Sequence, residues 1–269
     1  MVDRGFSRRE RNGIPFYVCR ALEEISDLRH GFSTRNGGVS TPSGCLNLGC
    51  VAWDTPEFVE ENRRRFLSAI GAERSRLATL SQIHSDRVQI VESNCGWWSG
   101  SIEGDALATC LGGTAVAVQV ADCFPILIAD TRTHAVAAIH AGWRGTLTRI
   151  LSKTVSALRA AYGCDPSLLL IAIGPGIRSC CYEVGQEVVD LYRQEYPGVE
   201  VASPHASRPG KYLMNLHAAL SVQVCEAGID PARVFDLGLC TCCGAHEFFS
   251  YRRDGPSSGR MMGAIVQVI

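Results

Sequence analysis

The sequence ADCFPILIADTRTHAVAAIHAGWR, residues 121–144, contains two apolar runs separated by a short polar break. Pro125–Ala129 and Ala135–Ile139 are apolar and have the length of buried strands, and Asp130–His134 between them has the polar composition of a turn. The sequence therefore predicts a buried β-hairpin, and we expect the rest of the chain to be organised around it.

The predicted hairpin brings a thiol and an imidazole together. Folding it about its turn places His140 opposite roughly residue 125 and close to Cys123, because facing and diagonal residues of paired strands lie about 5–8 Å apart. His84, in the upstream segment SQIHSDRV, is a candidate third ligand. Two histidines and one cysteine suit zinc and leave a fourth coordination position open for water or substrate.

Each of these residues also has a simpler interpretation. Cys123 has the size and polarity of a small core residue, and His140 could be a buried histidine bonded to a backbone carbonyl. The neighbours favour a functional site, because Asp122, Trp143 and Arg144 place polar and aromatic groups at the ends of otherwise aliphatic strands. Buried polar groups need partners, so such a group forms either a hydrogen-bonded network or a site.

The composition is typical of one large folded domain. The chain has 269 residues, of which 46% are hydrophobic and 20% charged, enough for a single α/β or α+β domain with a full core. No apolar run reaches the roughly 18–20 residues that span a bilayer. Residues 1–13 are charged and lack the apolar segment of a signal peptide. We expect these residues to form a disordered basic tail before a catalytic domain over 14–269, in a cytoplasmic protein.

Charge and residue usage exclude several classes of function. The net charge is −1, which argues against nucleic acid or an anionic membrane as the main partner. Only Lys153 and Lys211 are lysines, and no Walker-type phosphate loop is present. A small-molecule substrate is the expected partner, while the sequence says nothing of oligomeric state.

The chain contains 13 cysteines, an odd and scattered set that we expect to be mostly free thiols in a reducing compartment. Cys240, Cys242, Cys243 and His246 form the one dense cluster, a candidate second metal site. Because their spacing fits no common zinc ribbon, we favour a structural or redox-inert role for them.

The segment GFSTRNGGVSTPSGCLNLG, residues 31–49, has the Gly, Ser and Asn content of a long loop. Arg35 beside two glycines is a candidate for gripping a phosphate or carboxylate, and Asn47 is a candidate inward-facing amide. A helix is predicted after Asp54 or Thr55, with Pro56 in its first turn. A second helix, with its apolar stripe over 147–158, is expected to begin near Trp143, with its N-terminus facing the site.

These residues together resemble a known family, called the multicopper polyphenol oxidase (laccase)-like, peptidoglycan editing factor or purine nucleoside phosphorylase family. The resemblance covers the chain from about residue 30, in the family's order, through the following blocks: GFSTRNGGVS, CLNLG, ENRRRF, LSQIHSDRV, GDALAT, VADCFPILIAD, AAIHAGWRGT, AIGPGIRSCCYEVG and FFSYRRDG with the later GR. It implies a layered sandwich domain, with central mixed sheets covered by helices, and a zinc-type site at His84, Cys123 and His140. Ser85 stands where the family commonly has glycine.

Four functions follow from these observations and the resemblance. The resemblance implies a zinc-dependent enzyme that cleaves adenosine- or inosine-type nucleosides with phosphate, with some adenosine deamination. Arg35, Arg144 and Asn47 are then the candidate substrate contacts, and Asp105 or Asp122 orients groups or moves protons. A peptidoglycan editing hydrolase could instead use Cys123 as a nucleophile and His140 as its base. A copper-dependent polyphenol oxidase fits less well, because the chain's seven histidines are scattered. A non-catalytic protein with a structural metal predicts no cavity beside the ligands.

Overall fold

The computed structural model describes residues 5–41, 43–92 and 99–268. Its strands over these residues are β1 (Phe6–Arg11), β2 (Ile14–Cys19), β3 (Leu28–Ser33), β4 (Arg76–Ser81), β5 (Val88–Ile90), β6 (Ser99–Glu103), β7 (Ala106–Thr109), β8 (Thr114–Val120), β9 (Phe124–Asp130), β10 (Val136–Ala141), β11 (Leu169–Ile173), β12 (Glu183–Gly185), β13 (Ala202–Pro204), β14 (Lys211–Met214), β15 (Val234–Asp236) and β16 (Met261–Gln267). Its α-helices are α1 (Arg20–Glu23), α2 (Pro56–Ala69), α3 (Trp143–Leu147), α4 (Ile150–Tyr162), α5 (Gln186–Glu195), α6 (Leu216–Glu226) and α7 (Tyr251–Asp254).

The predicted hairpin is present as β9 and β10, at the centre of a six-stranded sheet of order β15-β11-β9-β10-β7-β5. The two strands are antiparallel, and His140 lies opposite Pro125, as the sequence indicated. Every residue of both strands is buried. A strand covered on both faces can be apolar throughout, which explains the continuous hydrophobic runs.

A seven-stranded sheet of order β1-β2-β3-β16-β8-β4-β6 forms the second layer. Side chains of β9 alternate between the two faces: Leu127 packs in one core with Val118 of the second sheet, whereas Ile126 and Ile128 pack in another core with helix residues. Helices α4, α5 and α6 supply the helix residues of the core that contains Ile126 and Ile128. The expected α/β class, with layered mixed sheets covered by helices, is confirmed.

The N-terminal region differs from the expectation. Residues 1–4 lie outside the described residues, but Phe6–Arg11 is not a disordered tail, because it pairs along its whole length with β2. Asn12 and Gly13 adopt positive φ angles and make the tight turn between the two strands. The charged side chains of β1 belong to an exposed edge strand, where charge protects against pairing with other chains.

The observed helix ends agree with the predicted ones where a local capping residue determines them. Thr55 caps α2, its hydroxyl accepting a hydrogen bond from the backbone N–H of Phe58. The single helix expected near Trp143 is divided into α3 and α4, because Arg149 between them has a left-handed backbone with φ of 67°. The Arg149 guanidinium at this break pairs with Glu195 of α5 and Glu226 of α6. In the described ranges, no helix has the length and apolar character needed to cross a membrane.

Candidate metal centre and substrate cavity

The three candidate ligands lie together at one end of the central hairpin. Cys123 immediately precedes β9, His140 lies in β10, and His84 follows β4 in a loop where its φ is 58°. Their ligand atoms all lie within 4.8 Å of one another, and the two imidazole ring centroids are 4.9 Å apart. The structure thus brings the predicted trio to one point.

Asp105 connects two of these ligands. Its Oδ1 lies 2.8 Å from Nδ1 of His140 and accepts a hydrogen bond of 3.0 Å from the backbone N–H of His84. Its Oδ2 accepts hydrogen bonds from the backbone N–H and the hydroxyl of Ser85, at 2.6 and 2.7 Å. Burial would raise the pKa of Asp105, but the bonds from His140 and Ser85 outweigh it and lower the pKa. The carboxylate is therefore ionised and acts only as an acceptor.

This arrangement fixes which nitrogen of His140 is available. An acceptor at Nδ1 keeps a proton on that atom, so Nε2 is the nitrogen that can bind a metal once the metal displaces any proton there. Because the same carboxylate holds the His84 backbone in its strained conformation, Asp105 positions both histidines at once.

Cys123 and His140 interact electrostatically, and each shifts the pKa of the other. Burial would raise the pKa of Cys123, but the charge and hydrogen bond of His140, with a hydrogen bond from His84, lower it to about 6. Burial would likewise lower the pKa of His140, and the Cys123 charge together with Asp105 raises it to about 9. The site thus favours a thiolate, the form of cysteine that binds metal.

The space around the trio also fits a metal ion. A methyl group built on Gly142 would lie 2.9 Å from Sγ of Cys123 and 3.2 Å from Cδ2 of His84. The φ of Gly142 is −81°, which any residue can adopt, so the close approach of the ligands is the reason for glycine here. Two imidazoles and a thiolate form a donor set that zinc accepts, with room for a fourth ligand.

A cavity of about 780 Å³ opens beside the trio, and His84, Cys123 and His140 form part of its wall. Tyr182 and Tyr251 add aromatic surface, and Gln82 and Gln119 add amide groups. A cavity of this size accommodates a small organic molecule together with an anion.

Three arginines, Arg63, Arg252 and Arg260, line the same cavity. Each is held through a backbone carbonyl: Arg63 Nε donates to Leu48, Arg252 to Glu183, and Arg260 to Ser258 and Gly259. Within the part of the chain that the structure describes, none of the three pairs with a carboxylate. Burial lowers the pKa of Arg260, although the Tyr251, Cys123 and Asp122 charges oppose this. The cavity therefore carries fixed positive charge that an anion can neutralise.

Comparison with known proteins identifies the family. The family model described as multi-copper polyphenol oxidoreductase laccase matches residues 29–267. The chain belongs to this family. The resemblance seen in the sequence blocks is confirmed.

Several named proteins of this laccase-like family are similar to the chain over most of their length. A Deinococcus radiodurans protein named purine nucleoside phosphorylase is 38% identical over 239 residues, 88% of either chain. The Escherichia coli protein named purine nucleoside phosphorylase YfiH is 36% identical over 236 residues, 87% of this chain and 91% of that one. The crystal structure of YlmD from Geobacillus stearothermophilus superposes with a TM-score of 0.87 at 32% identity, covering 98% of this chain and 99% of that one.

The two arginines selected from sequence do not line the cavity of this laccase-like fold. The guanidinium of Arg35 stacks 4.7 Å from the ring centroid of Phe249 and donates to the carbonyl of Ala245. The Arg144 guanidinium is exposed and lies 4.4 Å from the ring centroid of Trp143.

Asn47 and Asp122 have positioning roles. The buried Asn47 amide accepts a hydrogen bond of 2.9 Å from the backbone N–H of Arg260 and donates one of 2.7 Å to Asp54. Asp122 lines the cavity, but its two oxygens accept hydrogen bonds from Thr241 and from the backbone N–H of Arg252. Each residue thus anchors a segment that carries a cavity arginine.

The sequence reasoning missed the cavity arginines. Arg63 lies in the block ENRRRF, Arg252 in FFSYRRDG and Arg260 shortly after it, so all three lie within recognised family blocks. One feature of the sequence does point to arginines: because only two residues are lysines, almost any positive charge that contacts a substrate must come from an arginine. Which of them face a cavity depends on contacts between distant segments.

Proposed function

We propose that this protein is a zinc-dependent purine nucleoside phosphorylase. It would cleave adenosine- and inosine-type nucleosides with phosphate, giving the free base and ribose 1-phosphate. The observation that carries this proposal is the cavity itself, in which a His-Cys-His metal centre and three arginines without carboxylate partners face the same space. The curated names of the relatives support the same conclusion.

The arginines have the chemistry to hold the phosphate. Backbone carbonyls accept hydrogen bonds from one nitrogen, Nη1, of Arg252 and of Arg260. The remaining N–H groups of each guanidinium can donate to phosphate oxygens. Orienting hydrogen phosphate against the sugar lets one oxygen attack C1′ as the bond to the base breaks. The bonding electrons leave with the base, and the proton of hydrogen phosphate ends on it, so the reaction balances without another reactant.

The nucleoside is expected to lie between the arginines and the metal centre. Tyr182 and Tyr251 provide aromatic surface for the planar base. His84, Cys123 and His140 would hold the zinc, which supplies Lewis acidity at that end of the cavity. Asp105 keeps His140 in the tautomer that makes Nε2 available.

Deamination of adenosine is the minor activity in this proposal. Zinc deaminases use a free carboxylate for proton transfer. Among the residues lining the cavity, the carboxylate is that of Asp122, and both of its oxygens are already hydrogen-bonded. We therefore expect base release to exceed inosine formation when adenosine is supplied with phosphate.

The test is a product assay on protein loaded with zinc. Inosine with phosphate should yield hypoxanthine and ribose 1-phosphate, in equal amounts and only when phosphate is present. Chelated protein should be inactive, and zinc should restore it better than copper. Loaded protein that produces neither a base nor inosine from these nucleosides would contradict the proposal.

A second candidate, the peptidoglycan editing hydrolase, is favoured by the coupling of Cys123 with His140. A thiolate beside an imidazolium is an activated nucleophile, able to attack the carbonyl of a cell-wall precursor. Metal content separates the two candidates, since zinc bound through Sγ of Cys123 removes the free nucleophile. The cavity beside the ligands argues against a purely structural metal, and in the described ranges no metal-ligand group contains enough histidines for a multicopper oxidase.

A further inference from the structure

Four cysteine sulfur atoms meet outside the cavity. Sγ atoms of Cys180, Cys181, Cys240 and Cys243 all lie within 4.8 Å of one another. Sγ of Cys243 is 3.5 Å from that of Cys180 and 3.3 Å from that of Cys181. The cluster expected from the sequence is thus changed, because Cys180 and Cys181 take the places given to Cys242 and His246.

Two turns from distant parts of the chain supply these thiols. The first turn contains Cys180 and Cys181 and closes where the N–H of Cys181 donates to the carbonyl of Arg178. The second contains Cys240 and Cys243 and closes where the N–H of Gly244 donates to the carbonyl of Cys240. A backbone bridge between Gly176 and Cys240 fixes the two segments side by side. The thiols are therefore held together by the backbone.

The distances match a shared metal ion better than a disulfide. A disulfide requires sulfur atoms about 2.05 Å apart. Four sulfurs bound tetrahedrally to zinc at about 2.3 Å lie about 3.8 Å from one another. The separations of 3.3 and 3.5 Å from Cys243 are close to the second value and far from the first, and all four sulfurs lie within 4.8 Å of one another. A small adjustment of side-chain rotamers would therefore complete a tetrahedron.

Zinc binds cysteine as a thiolate. Four thiolates within 4.8 Å of one another would repel unless a cation lay between them, so a metal ion is the partner that this arrangement of sulfurs favours.

We propose that Cys180, Cys181, Cys240 and Cys243 form a closed tetrahedral zinc site, separate from the centre at His84, Cys123 and His140. It has no open position for substrate, so its role is structural. It would join the segment that leads into Tyr182 with the segment that contains Thr241, whose hydroxyl binds Asp122. The first segment contributes Ile177 and Tyr182 to the cavity wall, and the second holds Asp122, which also lines the cavity. The second metal would keep the two segments in register.

Metal counting on protein purified under reducing conditions tests this proposal. Elemental analysis and native mass spectrometry should find two zinc ions per wild-type chain. The double variant Cys180→Ser/Cys243→Ser should keep one zinc, as should His84→Ala/His140→Ala, and the combined variant none. A matched control, Cys110→Ser/Cys225→Ser, replaces two exposed cysteines outside the cluster and should keep both ions.

A second measurement uses the wild-type chain and does not depend on the variants folding. Zinc-loaded protein should resist alkylation at the four clustered thiols, and treatment with a chelator should make them reactive, while Cys110 and Cys225 react in both states. A zinc content that is the same in Cys180→Ser/Cys243→Ser as in the wild type, equal alkylation with and without chelator, or a Cys180–Cys181 disulfide in the reduced preparation would overturn the proposal. None of these measurements depends on turnover of a nucleoside, so failure of the proposed enzymatic function is a separate outcome.

Discussion

Oδ1 of Asp105 lies 2.8 Å from Nδ1 of His140, and the same atom accepts the backbone N–H of His84 at 3.0 Å. One buried carboxylate therefore contacts both candidate histidine ligands, the ring of one and the backbone of the other. Loss of such a partner of a metal ligand typically weakens metal binding about 10–100-fold.

Asp105→Asn should weaken zinc binding about 10–100-fold while the chain stays folded. An amide nitrogen placed at either oxygen position would face an N–H donor, from His140 and His84 at one or from Ser85 at the other. Competition against a chelator of known affinity measures the change. Wild-type affinity in the variant would show that Asp105 does not control the ligand geometry.

His84→Ala, Cys123→Ala and His140→Ala should each abolish activity and zinc retention at this centre together. Two remaining ligands hold zinc poorly, whereas the large core does not depend on one ion to fold. Zinc content, turnover and thermal unfolding should be measured on the same preparations. Loss of activity with zinc still bound through the remaining residues would favour a direct chemical role for the substituted side chain.

The hairpin and its register could be predicted from local sequence, because a turn and two apolar runs determine which residues face each other. That reasoning brought Cys123 to His140 and is confirmed by the pairing of His140 with Pro125. It failed for Phe6–Arg11, where the charges that indicated a tail belong to an edge strand. It also failed at Arg149, which has a left-handed conformation and forms ion pairs with two distant helices.

The positions of the arginines that line the cavity were beyond local reasoning for the same physical reason. Arg35 lies in a glycine-rich loop, which favours close approach of a ligand, but its guanidinium packs on the ring of Phe249 outside the cavity. Arg260 faces the cavity because Asn47, more than 200 positions earlier in the chain, holds its backbone. Such placements depend on tertiary contacts that no motif spacing expresses.

Arg260→Ala should raise the KM for phosphate by about one to two decades while zinc is retained. A charge-assisted hydrogen bond of this kind contributes about 1.5–3 kcal/mol. Arg35→Ala is the matched control: it removes the same charge from a position outside the cavity and should leave the KM unchanged. Initial rates over a range of phosphate concentrations compare the two. A raised KM in Arg35→Ala with an unchanged KM in Arg260→Ala would instead indicate that phosphate binds at the glycine-rich loop.

Asn47→Ala should raise the KM for phosphate less than Arg260→Ala does, and should also lower stability. The amide holds the Arg260 backbone without reaching the cavity, and its removal leaves Asp54 and buried backbone groups with fewer partners. Each buried group left unpaired costs about 1–3 kcal/mol. Urea unfolding and phosphate kinetics, measured side by side, separate the two effects. An unchanged stability with a KM as high as in Arg260→Ala would indicate direct contact between Asn47 and substrate.

His30 should make the fold sensitive to acid. Its ring is buried in β3, and Nε2 accepts the backbone N–H of Cys19 at 2.9 Å. Burial outweighs the attraction of Glu23 and lowers the pKa of His30 from 6.5 to about 4. At this position the unfolded chain therefore binds a proton more readily than the folded one. Protonation of His30 does not reduce the free energy of unfolding above pH 6.5, and reduces it progressively as the pH falls from 6.5 towards 4. At pH 4 the loss from this group should be about 3 kcal/mol.

The variant His30→Gln isolates this effect, since an amide oxygen can accept the Cys19 N–H but does not titrate. Urea unfolding of both proteins from pH 7.5 to pH 4 gives the difference in their stabilities, in which the contribution of all shared carboxylates cancels. The wild type should lose stability relative to the variant as the pH falls below 6.5, because only the wild type must keep an imidazole neutral in the core. Parallel curves over this range would mean that the His30 ring takes up its proton without unfolding the surrounding sheet.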